Sequence, residues 1–66
     1  MKINATKIEI LLAEKHMTKA RLATRSGMKR QNVSYILSRG TCEPRTAGKI
    51  ATGLGVSVQD IIETEE

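Results

Sequence analysis

The chain has 66 residues, 39% of them hydrophobic, with one tyrosine, no Phe or Trp, one cysteine and a net charge of +4. Sixty-six residues fit one domain, 1–66, that buries only about 60% of its unfolded surface, which leaves no room for a large ligand cavity. A lone cysteine excludes an internal disulfide, and no Cys/His cluster suggests a metal, so neither metal nor cofactor is expected.

Glu9 and Glu14 interrupt the apolar start, so it does not read as a signal peptide. No apolar run nears the roughly 18 residues of a membrane span. A reducing, cytoplasmic setting follows as the expectation. The charge is unevenly placed. From Lys15 to Lys49 nine bases face a single acid, Glu43, a net of +8. Beyond Lys49 stand Asp60, Glu63, Glu65 and Glu66 with no base, a net of −4. A basic centre with an acidic tail suggests one surface that faces a polyanion and another turned away from it.

The spacing of Ile8, Leu11, Leu12 and Lys15 predicts a first helix from Ala5 or Thr6 to Lys15, with one apolar stripe. His16 follows where a helix needs a left-handed residue, a role that explains it better than ligation or catalysis. Thr18 caps a second helix that turns Leu22 and Ala23 inward and stops before Gly27. Met17 packs back as a staple, and Met28 reads as a core plug. A third helix spans about Lys29 to Ser38 or Arg39, with Val33, Ile36 and Leu37 inward and Gly40 as its stop. Thr41–Pro44 is a loop. Its Cys42 is either a redox switch or an incidental thiol, and the sequence holds no sign of activation.

A fourth helix runs from Pro44 to Leu54 on the stripe Ala47, Ile50, Ala51 and Leu54. Gly48 and Gly53 inside it either permit close packing or soften it. Gly55 stops it. Ser57 with Asp60 predicts a fifth helix with Val58, Ile61 and Ile62 as its apolar face. No strand-like alternation occurs.

Two short helices around Gly27, with Lys29, Arg30, Gln31, Ser34 and Tyr35 outward on the second, form the pattern of a DNA-reading helix-turn-helix over about 18–38. Tyr35 lies about 200° from Val33 at 100° per residue and so points out. It either touches a thymine methyl or phosphate, or lies against the second helix.

The segment LATRSGMKRQNVSYIL resembles the helix-turn-helix of the phage-repressor and Cro-like (Xre) family. RGTCEPRTAGKIATGLGVSVQDII is similar to that family's remaining helices. The resemblance implies an all-α, five-helix, lambda-repressor-like domain that binds operator DNA, usually as a homodimer. It implies base contacts from Arg30, Gln31, Tyr35 and neighbouring Ser34. Lys19 matches a phosphate-touching position and Arg45 one that reaches the adjacent minor groove. Thr18, Lys29, Asn32, Arg39 and Thr41 complete the backbone-contacting set. Many family members carry a buried Arg–Glu pair at the sites of Leu12 and Leu37, so an apolar pairing is expected here instead.

A helix-three arginine can bond guanine bidentately, and a glutamine adenine. A stand-alone regulator follows, a dimeric repressor from a bacterium or mobile element. No enzyme is expected, because no paired carboxylates, second histidine or phosphate loop are present. The alternative is an antitoxin-type or other protein-binding module with a partner at its C-terminal region. Dimer contacts are sought around Val56, Val58 and Ile62, with Ile61 equally readable as core.

Overall fold

The structure is a computed structural model, and it describes residues 1–63. Four α-helices follow in order: α1 (Ala5–Glu14), α2 (Lys19–Ser26), α3 (Arg30–Arg39) and α4 (Pro44–Leu54). Three of the four start where the chain supplies an N-terminal solution. Asn4 caps α1 by accepting the Lys7 amide at 3.0 Å, and Thr18 caps α2 by accepting the Arg21 amide at 3.1 Å. Pro44 opens α4 at a position where its missing N–H costs nothing.

Three of the four helix ends, those of α1, α2 and α4, follow one scheme. After α2, Gly27 takes φ 71°, and Met28 donates back to the Ala23 carbonyl at 2.8 Å. After α1 the same bond runs from Met17 to the Leu12 carbonyl, also at 2.8 Å, but His16 holds the left-handed position at φ 52°. Both are Schellman endings, in which the residue after the left-handed one folds back onto the helix. That places Met17 and Met28 against the core, as their sequence positions suggested.

The apolar stripes converge on one core. Ile8 and Leu12 of α1, Leu22 and Ala23 of α2, Val33, Ile36 and Leu37 of α3, and Ile50, Ala51 and Leu54 of α4 share a buried cluster with Ile3 and Ile61. Leu12 and Leu37 both lie in it, in keeping with the expected apolar pairing, and neither side chain needs the desolvation a charge would. Lys15, at the end of the expected α1 stripe, is exposed.

One expectation is corrected and one open alternative is resolved. The fifth helix is a single 3-10 turn over Val58–Asp60. Ser57 and Asp60 do initiate it, with the Asp60 carboxylate accepting the Ser57 amide at 3.2 Å. It stops because the next backbone groups bond elsewhere: Asn4 N–H donates to the Ile61 carbonyl at 2.7 Å, and Glu63 N–H to the Lys2 carbonyl at 3.2 Å. Ile61 is fully buried, in keeping with the core reading. Second, only one of the two interior glycines of α4 marks close packing. A Cβ on Gly48 would meet nothing within 4 Å, whereas one on Gly53 would press on Leu22 and Ser26 of α2.

The first four residues are not a loose lead-in. Ile3 N–H donates to the Gly40 carbonyl at 2.9 Å and Cys42 N–H to the Met1 carbonyl at 3.0 Å. Isolated antiparallel bridges join Lys2 to Thr41 and Ile3 to Ile62. The segment thus ties the α3–α4 loop to the chain beyond the 3-10 turn. Glu65 and Glu66 of the expected acidic tail lie outside the described residues.

Candidate nucleic-acid interface

The outward side of α3 follows from its inward side. With Val33, Ile36 and Leu37 fixed in the core, a 100° step per residue leaves Arg30, Gln31, Ser34 and Tyr35 on one face, spread over about 140°. All four are exposed. Ser38 falls on the same face by the same count, a position the sequence reading did not single out.

α2 brings its N-terminus to that face. Thr18, Lys19 and Ala20 line one open cleft together with Arg30, Gln31, Ser34 and Tyr35. Six of the residues expected from sequence are therefore gathered at one place, four from α3 and two from the start of α2. Ala20 is the addition. Its small side chain leaves the cleft open where a longer one would fill it. The Thr18 hydroxyl uses a lone pair on the Arg21 amide and keeps its own proton to donate. The first amides of α2 carry the positive end of the helix dipole, which favours an anion there.

A second open cleft lies at the far end of α3. Tyr35, Arg39 and Thr41 line it with Ile36 and Cys42. Arg39 Nη1 donates to the Tyr35 hydroxyl at 2.8 Å. Tyr35 is 59% exposed, so it does not lie buried against α2. Lys29, Asn32 and Arg45 are exposed too but line neither cleft. Lys29 is the N-cap residue of α3, where its donor-only ammonium cannot serve as a cap.

Lys15, His16, Arg21 and Arg25 line a further basic concavity at the α1–α2 turn. The wheel puts Arg21 and Arg25 roughly 200–240° from Lys19, on the flank of α2 away from the first cleft. Charge in the sequence was a signal for them, but their place on a separate flank needed the fold.

The Cys42 thiol is half-buried. Burial pushes its pKa up and neighbouring Glu43 adds to the shift, while the positive charge at the chain start opposes it. A raised pKa lowers the thiolate fraction, which fits an incidental cysteine better than a redox switch. Among the described residues no group of three or more His, Cys, Asp or Glu side chains could hold a metal ion, and no helix is long and apolar enough to cross a membrane.

A family model described as a Cro/C1-type HTH DNA-binding domain matches residues 7–66. The chain belongs to that family. The match covers all four α-helices but for the first two residues of α1, and it includes the whole α2–turn–α3 unit. No match was found among curated proteins or solved structures. The matched domain is a DNA-binding one, and the α2–turn–α3 unit within it leaves basic and amide side chains of α3 exposed.

Proposed function

We propose that this Cro/C1-type protein is a small sequence-specific transcriptional regulator that reads duplex DNA in the major groove with α3. The observation that carries the reading is the first cleft, where Arg30, Gln31, Ser34 and Tyr35 stand beside the dipole end of α2. Arg30 offers a two-pronged donor for guanine N7 and O6, and Gln31 pairs an amide with adenine. Each such pair discriminates against a wrong base by about 1–3 kcal/mol. Ser34 donates or accepts, and the Tyr35 ring can pack on a thymine methyl.

Thr18, Lys19, Lys29, Asn32, Arg39, Thr41 and Arg45 would set register on phosphates and carry the salt-dependent share of affinity. A single α3 spans too few base pairs to select one site in a genome. A homodimer on a palindrome, with half-sites about one helical turn apart, supplies the missing selectivity. Bound at a promoter in the cytoplasm, such a dimer would act as a repressor by excluding polymerase.

Selection of bound sequences from a random duplex pool tests this, with Arg30→Ala/Gln31→Ala as the control. The expected result is an enriched palindrome that the control does not enrich. Weak, salt-sensitive binding without enrichment by either protein overturns the base-reading claim.

A further inference from the structure

The hydrogen bond between Tyr35 and Arg39 has no part in the reading above. The two side chains stand one turn apart on α3, and both are exposed. The guanidinium donates to the hydroxyl at 2.8 Å, and its carbon lies 5.4 Å from the ring centroid. Tyr35 is also the wall shared by the two clefts, whereas Arg39 lines only the second. The bond thus holds the guanidinium on the Thr41 side, away from Arg30 and Gln31.

A free arginine loses rotamer freedom when it docks on an anion. Holding it in place beforehand reduces that loss. A guanidinium has five N–H donors, so one bond to the hydroxyl leaves four for a phosphate. The tyrosine ring, by contrast, stays exposed above the first cleft.

We propose that the Tyr35 hydroxyl is a positioning group that aims Arg39 at a DNA phosphate beside the second cleft. This rests on the duplex-DNA reading proposed above and divides Tyr35 in two: the ring faces bases, and the hydroxyl serves the backbone contact. Tyr35→Phe separates the two, because it removes the hydroxyl and keeps the ring.

The test compares the unsubstituted protein, Tyr35→Phe, Arg39→Ala and the double variant. Binding to the selected palindrome and to a mixed-sequence duplex is measured by fluorescence anisotropy over a range of salt. Tyr35→Phe is expected to weaken both duplexes about 3- to 10-fold, the worth of one hydrogen bond. The slope of log K against log salt becomes shallower, by at most about 0.9, the value of one phosphate contact. Adding Tyr35→Phe to Arg39→Ala causes no further loss, and the preference for the palindrome is unchanged. Thermal melting of every variant is also unchanged, since both side chains are exposed.

Unweakened binding by Tyr35→Phe overturns the proposal, as do additive losses in the double variant, which would mean that the hydroxyl touches DNA itself. A loss confined to the palindrome also overturns it. All three leave DNA reading intact. If the unsubstituted protein binds neither duplex, the DNA reading fails and the positioning role fails with it.

Discussion

Toward the core, α2 presents Leu22, Ala23 and Ser26, and α4 approaches so closely that a Cβ on Gly53 would sit 3.1 Å from Leu22 Cδ1 and 3.3 Å from the Ser26 amide nitrogen. Around its other end the same eight-residue helix offers Thr18, Lys19 and Ala20 to an open cleft. The first region has no spare volume and the second is nearly all spare volume. Stability and the proposed recognition thus fall to different residues of one short helix and its cap. Changes on the inner side should move melting and carry binding along with it. Changes on the cleft side, including the α3 residues that face α2 across it, as in Arg30→Ala/Gln31→Ala, should move binding alone.

The largest break in that separation is expected from Leu12→Arg. Leu12 is 6% exposed and shares the apolar cluster with Leu37. A guanidinium there has no buried carboxylate to meet, and an unpaired buried charge costs about 3–5 kcal/mol. For so small a domain that is most of the total stability. Unfolding followed by circular dichroism should show it, and unchanged melting would refute the buried apolar site. Adding Leu37→Glu should recover part of the loss by supplying an ionic partner within the same cluster.

A smaller effect is expected at Gly53. Gly53→Ala places a methyl against Leu22 and Ser26, and overpacking of this kind costs about 1–3 kcal/mol. Ser26→Ala acts in the opposite direction. The Ser26 hydroxyl is buried with no hydrogen-bond partner, so removing it should stabilise by about 1 kcal/mol. The two should couple: with the hydroxyl gone, Gly53→Ala loses its nearest obstacle and becomes milder. Additive effects in a double-mutant cycle would mean that the helices shift to absorb the methyl.

What the sequence made legible was local. The stripes on α1 through α4, the caps at Thr18 and Ser57 and the turns at His16 and Gly27 are short-range patterns, and each lies where its pattern placed it, except that the α1 stripe ends before the exposed Lys15. The outward face of α3 followed from the same count. What escaped was set by distant partners. Lys2 and Ile3 are too short a piece to show a strand period, yet they bridge to Thr41 and Ile62 across most of the chain. The same pairing cut the expected fifth helix to one turn. Gly48 and Gly53 look alike in sequence and differ only in what α4 packs against. The cleft itself is a meeting of α2 and α3, so Ala20 gained its place there only once the helices were positioned.

The finest comparison is between the Schellman endings of α1 and α2, because they differ in a single residue type. Gly27 adopts its left-handed backbone without strain, but His16, at φ 52°, carries a Cβ that the same region crowds. His16 is exposed, so little packing is lost with its side chain. His16→Gly should therefore stabilise, but by less than the full strain, because glycine also widens the unfolded ensemble. A net gain of roughly 0.5–1 kcal/mol is expected, which for a chain this size raises the melting temperature by about 2–8 °C. His16→Ala keeps the Cβ and so should show no gain. A lower melting temperature for His16→Gly would mean that the imidazole itself holds the α1–α2 turn, within the concavity it shares with Lys15, Arg21 and Arg25.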